Sequence, residues 1–201
     1  YEKEDFKGLG KVAPLHEVLL DASIKHHPDP VTSAKYRIPK FWLGDVQTPV
    51  GKDLINANPK GTLMFVVTKV VVDPQAGEIA MGRLYSGTMK KGLSVHMHNA
   101  KADIRTQQIY IYNGAKKEIV ENVPAGNIIG VGGLKGAFPG ETVSTEGEGC
   151  EPFEKIGHIF DPVITKAIEA KKPSDLPKLV DVLVEISKED PSIEIKLNQE
   201  T

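Results

Sequence analysis

The clearest hydrophobic pattern along the chain is a pair of apolar, β-branched runs that are separated by a short turn. The runs cover residues 62–72 and 78–85, and the five residues between them read DPQAG. Asp offers a side-chain acceptor, Pro presets φ, and Gly reaches positive φ, so each type favours a turn for its own reason. The pattern therefore predicts a β-hairpin, followed by a basic turn at Lys90-Lys91-Gly92.

Short alternating runs continue the β pattern beyond this hairpin. Leu93, Val95 and Met97 alternate with polar residues at the period of a half-buried strand. Further strands are predicted at residues 104–112, 128–131 and 141–143, the first of them ending at the turn-forming pair Asn113-Gly114. Because several short strands separated by turns favour closure of a sheet, we predict a small closed β-barrel over residues 61–147.

In the segment before this barrel, the residue pattern predicts one helix and a connector. Residues 14–27 carry apolar side chains at helical spacing, and Pro28 ends the pattern. Residues 28–60 show little periodicity and contain five prolines, which predicts an extended connector packed on its neighbours. Trp42, the only tryptophan, is the expected anchor of that connector.

After the barrel the period changes again. Beyond a hinge rich in Gly and Glu at residues 146–150, residues 163–170 and 193–197 predict strands. Between them, Ser174 is expected to cap a helix with Leu176, Leu179, Val180 and Leu183 on one face, ending at Asp190-Pro191. Strand, helix and strand make half of a ferredoxin-like unit. The predicted fold is mainly β with an α+β part, divided into residues 1–60, 61–147 and 148–201.

Composition narrows the range of functions. A hydrophobic content of 40% and a charged content of 26% are ordinary for a globular protein, and no apolar run is long enough to span a bilayer. The N-terminal residues have no apolar signal core, and the single cysteine, Cys150, cannot form an internal disulfide, so we expect a reducing, cytoplasmic setting. A net charge of −2 argues against a protein coated in positive charge but leaves a local basic patch open.

Residue patterns for cofactor, metal or catalytic sites are weak. Residues 44–53, GDVQTPVGKD, depart from a phosphate-binding loop in glycine spacing and by having Asp53 where a magnesium-binding hydroxyl should be. The glycines at 130–136 fit barrel turns better than a dinucleotide site. His96 and His98 should face the same side of a strand, but no third ligand is adjacent in sequence, and Cys150 has no recognisable catalytic neighbour. We therefore expect no cofactor, no metal and no independent enzyme in this chain.

Basic residues of the barrel are the candidates for binding. The set comprises Arg83, Lys90, Lys91, Lys101 and Arg105. Guanidinium groups can bind two phosphate oxygens, and lysine acts as a point charge on a nucleic-acid backbone. Tyr110 and Tyr112 could stack on bases or simply pack, and about half of the lysines could be solvated surface charge.

Several short sequence motifs, in the order in which the family has them, resemble the elongation factor 2 family of translational GTPases, of the archaeal and eukaryotic type. They are PLHEVLLD (14–21), KYRIPK (35–40), DP-AGE with GR and SGT (73–88), PAGNI (124–128), FEKI (153–156), AIEAK (167–171) and DLPKL (175–179). The resemblance covers nearly the whole chain. It identifies residues 1–60 with the last helix of the GTPase domain and a connector, 61–147 with the second-domain barrel, and 148–201 with the first half of the third domain.

The resemblance implies a factor that binds the ribosome with GTP and Mg²⁺ and drives translocation. It implies that the barrel contacts small-subunit ribosomal RNA, and that the third domain links the barrel, the GTPase domain and a small-subunit protein. The GTP site of the family would lie outside this chain, so the fragment would supply ribosome contact and interdomain coupling without catalysis or a membrane partner. Because resemblance and charge converge there, Arg83, Lys90 and Lys91 are the favoured contacts.

Two alternatives stay open on the sequence alone. The barrel could be the scaffold of a stand-alone protein-interaction module with a partner unrelated to ribosomes. The chain could also come from a related GTPase of ribosome recycling or of the spliceosome, whose second domain would look similar.

Overall fold

A computed structural model describes residues 6–73, 75–114, 116–145, 149–155, 163–190 and 192–196 of the 201-residue chain. Within residues 6–63 of that description, four helices precede the sheet: α1 (Phe6–Val12), α2 (Leu15–His26), α3 (Pro30–Phe41) and α4 (Pro49–Ile55). The predicted helix at 14–27 is confirmed as α2, and none of its residues is buried. None of the described helices is long and apolar enough to cross a bilayer.

The extended connector predicted for residues 28–60 is wrong, because two helices form there. Asp29 begins α3 by accepting hydrogen bonds from the backbone N–H groups of Val31 and Thr32. Thr48 begins α4 in the same way, with its hydroxyl accepting from Gly51 N–H. A proline follows each cap, where its fixed φ suits the first helical turn and no N–H is needed. Prolines that suggested an extended chain are therefore helix starts.

Ten strands follow. They are β1 (Met64–Asp73), β2 (Gly77–Ser86), β3 (Thr88–Lys90), β4 (Ser94–Met97), β5 (Ala102–Arg105), β6 (Ile109–Asn113), β7 (Lys116–Val120), β8 (Asn122–Pro124), β9 (Ile128–Gly132) and β10 (Thr142–Thr145). The predicted hairpin is confirmed as β1 and β2, with Asp73 Oδ1 accepting from Gln75 and Ala76 N–H and with Gly77 at φ 71°. The predicted strand at 104–112 is broken between β5 and β6, and β3, β7 and β8 were not predicted.

The strands do not make the predicted closed barrel. Eight of them form one antiparallel sheet in the order β5-β4-β10-β1-β2-β9-β6-β7, and β3 pairs with β8 in a separate ribbon. The sheet is open because its end strands, β5 and β7, pair with one neighbour each in the described structure. Exposed charges on β7, such as Lys116 and Glu118, protect that edge without closure. Alternation predicts strands but carries no information on whether the first and last strands meet.

Strand β1 separates two hydrophobic cores because successive side chains point to opposite faces. Phe65 and Val67 enter the larger core, which gathers apolar residues from both ends of the curved sheet and from the β3–β8 ribbon. Met64 and Val66 enter a smaller core on the other face, where α3 and α4 cover the sheet with Ile38 and other residues. Trp42 is buried in this second core, as expected of an anchor, but it directly follows α3 and does not lie in an extended connector.

The predicted half of a ferredoxin-like unit is not formed as expected. Its helix exists as α5 (Leu176–Glu189), ending at Asp190, but Ser174 lies in a short 3-10 turn before it and makes no cap. Residues 163–170 and 193–196 are irregular, and Leu197 lies outside the described residues, as does most of the predicted hinge. A strand needs a hydrogen-bonding partner, and none of the described residues pairs with either segment. The domain boundaries stay a prediction.

Candidate nucleic-acid interface

A shallow groove of about 360 Å³ lies where the loop before β1 meets β3. Lys60 and Lys90 stand among its lining residues, with Pro59, Gly61, Leu63, Thr88, Leu93 and Thr145 completing the set. The Thr88 hydroxyl donates to the carbonyl of Pro59 at 2.6 Å, and Gly87 N–H donates to Asn58 at 2.8 Å. These bonds fix the loop against the strand, so both lysines are held at one groove.

The basic turn after β3 continues this surface. Gly92 has a φ of 75°, which a glycine adopts without strain. The side chain of Thr106 holds the turn in place. Its hydroxyl donates to Lys90 O at 2.8 Å and accepts from Leu93 N–H at 2.9 Å. Arg105 Nε donates to Gly92 O at 2.6 Å, which places the guanidinium beside the turn. The structure thus brings Lys90, Lys91 and Arg105 together.

We call Lys60, Lys90, Lys91 and Arg105 the basic rim. All four side chains lie at exposed positions. Among the residues that the structure describes, no ion pair joins any of them to a carboxylate. Two cations at the groove and two on the adjoining turn suit a polyanion such as an RNA backbone. Sequence reasoning missed Lys60, although its place in Pro59-Lys60-Gly61 marks a turn before the first strand.

Arg83 lies apart from the basic rim. Its guanidinium carbon is 5.7 Å from the ring centroid of Tyr85, in a cation–π contact. That ring packs with Phe41 and Phe153, at centroid distances of 5.6 and 5.1 Å. Burial raises the pKa of Tyr85, while the charges of Arg83 and Arg37 oppose the shift. Arg83 therefore faces the α3 side of the sheet and cannot be assigned to the groove by this geometry.

Lys101 is also separate. It lies in the turn between β4 and β5, at the opposite end of that hairpin from Arg105, which pairs with Ser94. The carboxylate of Glu141 holds the turn by accepting from Asn99 and Ala100 N–H at 2.8 and 3.1 Å. Burial of this carboxyl raises its pKa despite those bonds. Glu141 is thus a structural residue that no sequence pattern revealed.

Of the two tyrosines that could stack or pack, Tyr110 packs. Its side chain is 2% exposed and donates through its hydroxyl to Gln108 Oε1. Lys117 Nζ lies 5.1 Å from the centre of the Tyr110 ring and forms an ion pair with Asp73. Tyr112 is half-buried, and burial raises its pKa. Stacking of Tyr110 on a nucleic-acid base is therefore excluded in this fold.

The two strand histidines do face the same side, as expected. Their rings meet edge to face with centroids 5.2 Å apart, and His96 Nδ1 lies 2.6 Å from Asp103 Oδ1. Although no third ligand is adjacent to them in sequence, Cys150 is close in space, with its Sγ 3.7 Å from His98 Nε2. Burial lowers the pKa of His98, and the neighbouring His96 lowers it further. In the described part of the chain, no three His, Cys, Asp or Glu side chains are grouped to hold a metal ion.

Two family models match this chain, one after the other along the sequence. Residues 62–146 match the family model for elongation factor G domain 2, and residues 159–201 match that for elongation factor G domain III. Over 199 residues the chain is 47% identical to elongation factor 2 of Pyrococcus abyssi. The chain belongs to the elongation factor 2 family.

Other members of the elongation factor 2 family give the same result. Identity is 49% over 197 residues to the protein of Thermococcus kodakarensis and 49% over 195 residues to that of Archaeoglobus fulgidus. These alignments cover 98% and 97% of the chain but 27% of each relative. The chain therefore spans about a quarter of the length of the curated elongation factor 2 relatives that it matches.

Proposed function

We propose that this chain is the central part of a cytoplasmic, ribosome-binding GTPase that promotes translocation during translation elongation. In this proposal the part described here contacts the small ribosomal subunit and couples neighbouring domains. GTP and Mg²⁺ would be bound by residues outside these 201 positions. Support comes from membership of the elongation factor 2 family and from the two elongation factor G domains that the chain matches in order.

The basic rim is the observation that carries the ribosome contact. Lys60 and Lys90 face one groove, and Lys91 and Arg105 extend the charge along the adjoining turn. The overall charge of −2 is too small and of the wrong sign to attract RNA from every side, so a local patch has to do so. Phosphate contacts of this kind position a protein on RNA without reading its sequence.

Coupling is supported by contacts between the three parts of the chain. Residues of the first part pair with the segment after β10, since Leu43 N–H donates to Pro152 O and Glu154 N–H donates to Phe41 O at 3.3 and 2.8 Å. On the hairpin, Lys188 of α5 forms an ion pair with Glu78 at 2.6 Å. Val72 N–H donates to Glu189 Oε1 at 2.7 Å. The first part is thus bonded to the segment after the sheet, and α5 is bonded to the hairpin of the sheet.

Cosedimentation of the chain with small ribosomal subunits over a series of salt concentrations tests the RNA contact. We expect weak binding whose logarithm falls linearly with the logarithm of salt concentration. Lys90→Glu/Lys91→Glu should weaken binding at every salt concentration and flatten the slope by about 2, since each lost phosphate contact removes about one counterion release.

The matched control is Lys69→Glu/Lys116→Glu, which makes the same change in net charge at exposed positions on β1 and β7. This control should keep the slope of the unmodified chain. Equal losses in the two double variants would show general charge attraction and would defeat the assignment of the basic rim. A Lys60→Glu variant should behave like Lys90→Glu, because both residues line one groove.

A further inference from the structure

One cluster of side chains lies outside the basic rim and has no part in the proposed function. Cys150 Sγ is 3.4 Å from Met64 Sδ and 3.7 Å from His98 Nε2. A thioether and an imidazole thus both lie within 3.7 Å of one thiol sulfur, from positions that are 86 and 52 residues from Cys150 in sequence.

We propose that Met64, His98 and Cys150 form a binding site for a soft monovalent metal ion, Cu(I) or Ag(I). Thiolate and thioether sulfur select such ions, and imidazole is an acceptable third ligand. Sulfur and nitrogen ligands at about 2.3 and 2.0 Å from a metal, at tetrahedral angles, stand about 3.5–3.8 Å apart. Of these, about 3.8 Å belongs to an S···S pair and about 3.5 Å to an S···N pair. The S···S separation of 3.4 Å is about 0.4 Å shorter and the S···N separation of 3.7 Å about 0.2 Å longer, differences that small side-chain rotations can supply.

Strand register explains why the ligands meet. Met64 on β1 pairs with Ser144 on β10, and Ser144 pairs with His96 on β4. These side chains therefore share the face that carries the second core. His98 is two residues beyond His96, on the same face, and its Nε2 lies 2.9 Å from Ser144 Oγ. Cys150 packs against that core from the segment that follows β10.

The surroundings favour a soft ion over a hard one. Met64 is fully buried and forms the inner wall, while the partly exposed Cys150 and His98 leave a path from solvent. Asp103, the carboxylate beside His96, is hydrogen-bonded to that histidine, and Glu151 acts on His98 through its charge. On binding, Cys150 would release its thiol proton to solvent, and His98 Nε2 would exchange its contact with Ser144 for the metal.

Titration of the chain with Cu(I), kept reduced by ascorbate without oxygen and competed by a chromophoric Cu(I) chelator, tests this site. We expect one Cu(I) per chain and an ultraviolet thiolate-to-copper absorption band. Cys150→Ser should remove both. Met64→Leu and His98→Gln should each lower the affinity by about tenfold or more, since loss of a direct ligand exceeds the effect of outer-shell changes.

His96→Gln is the matched control, because it removes a neighbouring imidazole that contacts His98 but is not a ligand. It should lower the affinity less than Met64→Leu or His98→Gln does, because the His96 ring nitrogen Nδ1 is bonded to Asp103 and not to a ligand. Ag(I) should raise the thermal unfolding midpoint of the unmodified chain and of His96→Gln, because the ion binds only the folded cluster. Met64→Leu keeps core volume, so it decides the matter if His98→Gln unfolds. No Cu(I) bound by the unmodified chain, or equal affinity in Met64→Leu, would overturn the proposal.

Discussion

The indole Nε1 of Trp42 donates a hydrogen bond of 2.7 Å to the backbone carbonyl of Glu151, across 109 residues of sequence. Next to this bond, Trp42 forms an isolated antiparallel bridge with Phe153, and the ring of Phe153 stacks on Phe41 at 5.2 Å. The chain therefore returns from the sheet to the end of α3. This junction holds the segments before and after the sheet against each other.

Removal of the Trp42 side chain should strongly destabilise the fold. We expect Trp42→Ala to lower the free energy of unfolding by about 3–5 kcal/mol, because a buried aromatic side chain leaves a cavity. Urea unfolding followed by circular dichroism measures the change. Tyr36→Ala, at an exposed position of α3, the helix that ends just before Trp42, is the control and should cost about 1 kcal/mol or less. Similar losses for both variants would show that the junction does not stabilise the fold.

Thr106 should affect binding without carrying charge. Thr106→Val deletes the hydroxyl that bonds Lys90 O and Leu93 N–H, so the basic turn loses its support. We expect a loss of about 1–3 kcal/mol in unfolding free energy and weaker cosedimentation with small subunits. Thr106→Ser keeps the hydroxyl and should bind normally. Normal binding by Thr106→Val would mean that the turn holds its shape without this bond.

Acid should destabilise the hairpin through Asp73. A hydrogen bond from Lys117, followed by bonds from Ala76 and Gln75 N–H, lowers the pKa of Asp73 from 3.8 to about 2. A lowered folded-state pKa gives stability that is present above pH 3.8 and is lost as pH falls towards 2. Unfolding free energy measured between pH 5 and about 2 should fall less steeply in Asp73→Asn. An unchanged slope would show that other carboxyls dominate.

Two glycines of the sheet should respond very differently to alanine. A Cβ on Gly82 would lie 1.9 Å from Val66 O on the neighbouring strand, so β1 and β2 would have to separate. On Gly132 the nearest atom, Tyr110 Cε2, would be 3.5 Å away, an ordinary contact. We expect Gly82→Ala to cost about 3 kcal/mol or more in unfolding free energy and Gly132→Ala about 1 kcal/mol or less. Equal costs would contradict the β1–β2 register.

Hydrogen exchange should distinguish α5 from the sheet. None of the described α5 residues is buried, and the helix is held to the hairpin by the Glu78–Lys188 pair and the Val72–Glu189 bond. We expect amides of residues 180–186 to exchange at least about 100-fold faster than those of 65–70, because few buried contacts resist local opening. High, uniform protection over residues 163–196 would instead favour the stand-alone interaction module.

Local patterns in the sequence predicted the elements whose formation depends on near neighbours. The β1–β2 hairpin follows from apolar runs around Asp73 and Gly77, and α2 and α5 follow from helical spacing of apolar residues. The basic turn at Lys90-Lys91-Gly92 is visible for the same reason, since its residue types favour a turn and carry charge. The family was likewise indicated by short sequence motifs that stand in the same order as in its members.

Tertiary structure decided which distant groups meet. Lys60 joins Lys90 at one groove, and Arg83 turns away to Tyr85, because strand register and the loop contacts set those positions. The open sheet, and the meeting of Cys150 with His98 and Met64, depend on pairing between segments many residues apart. Side-chain periodicity tells which face a residue occupies. The neighbour across that face is set by long-range hydrogen bonds and packing, which no local pattern records.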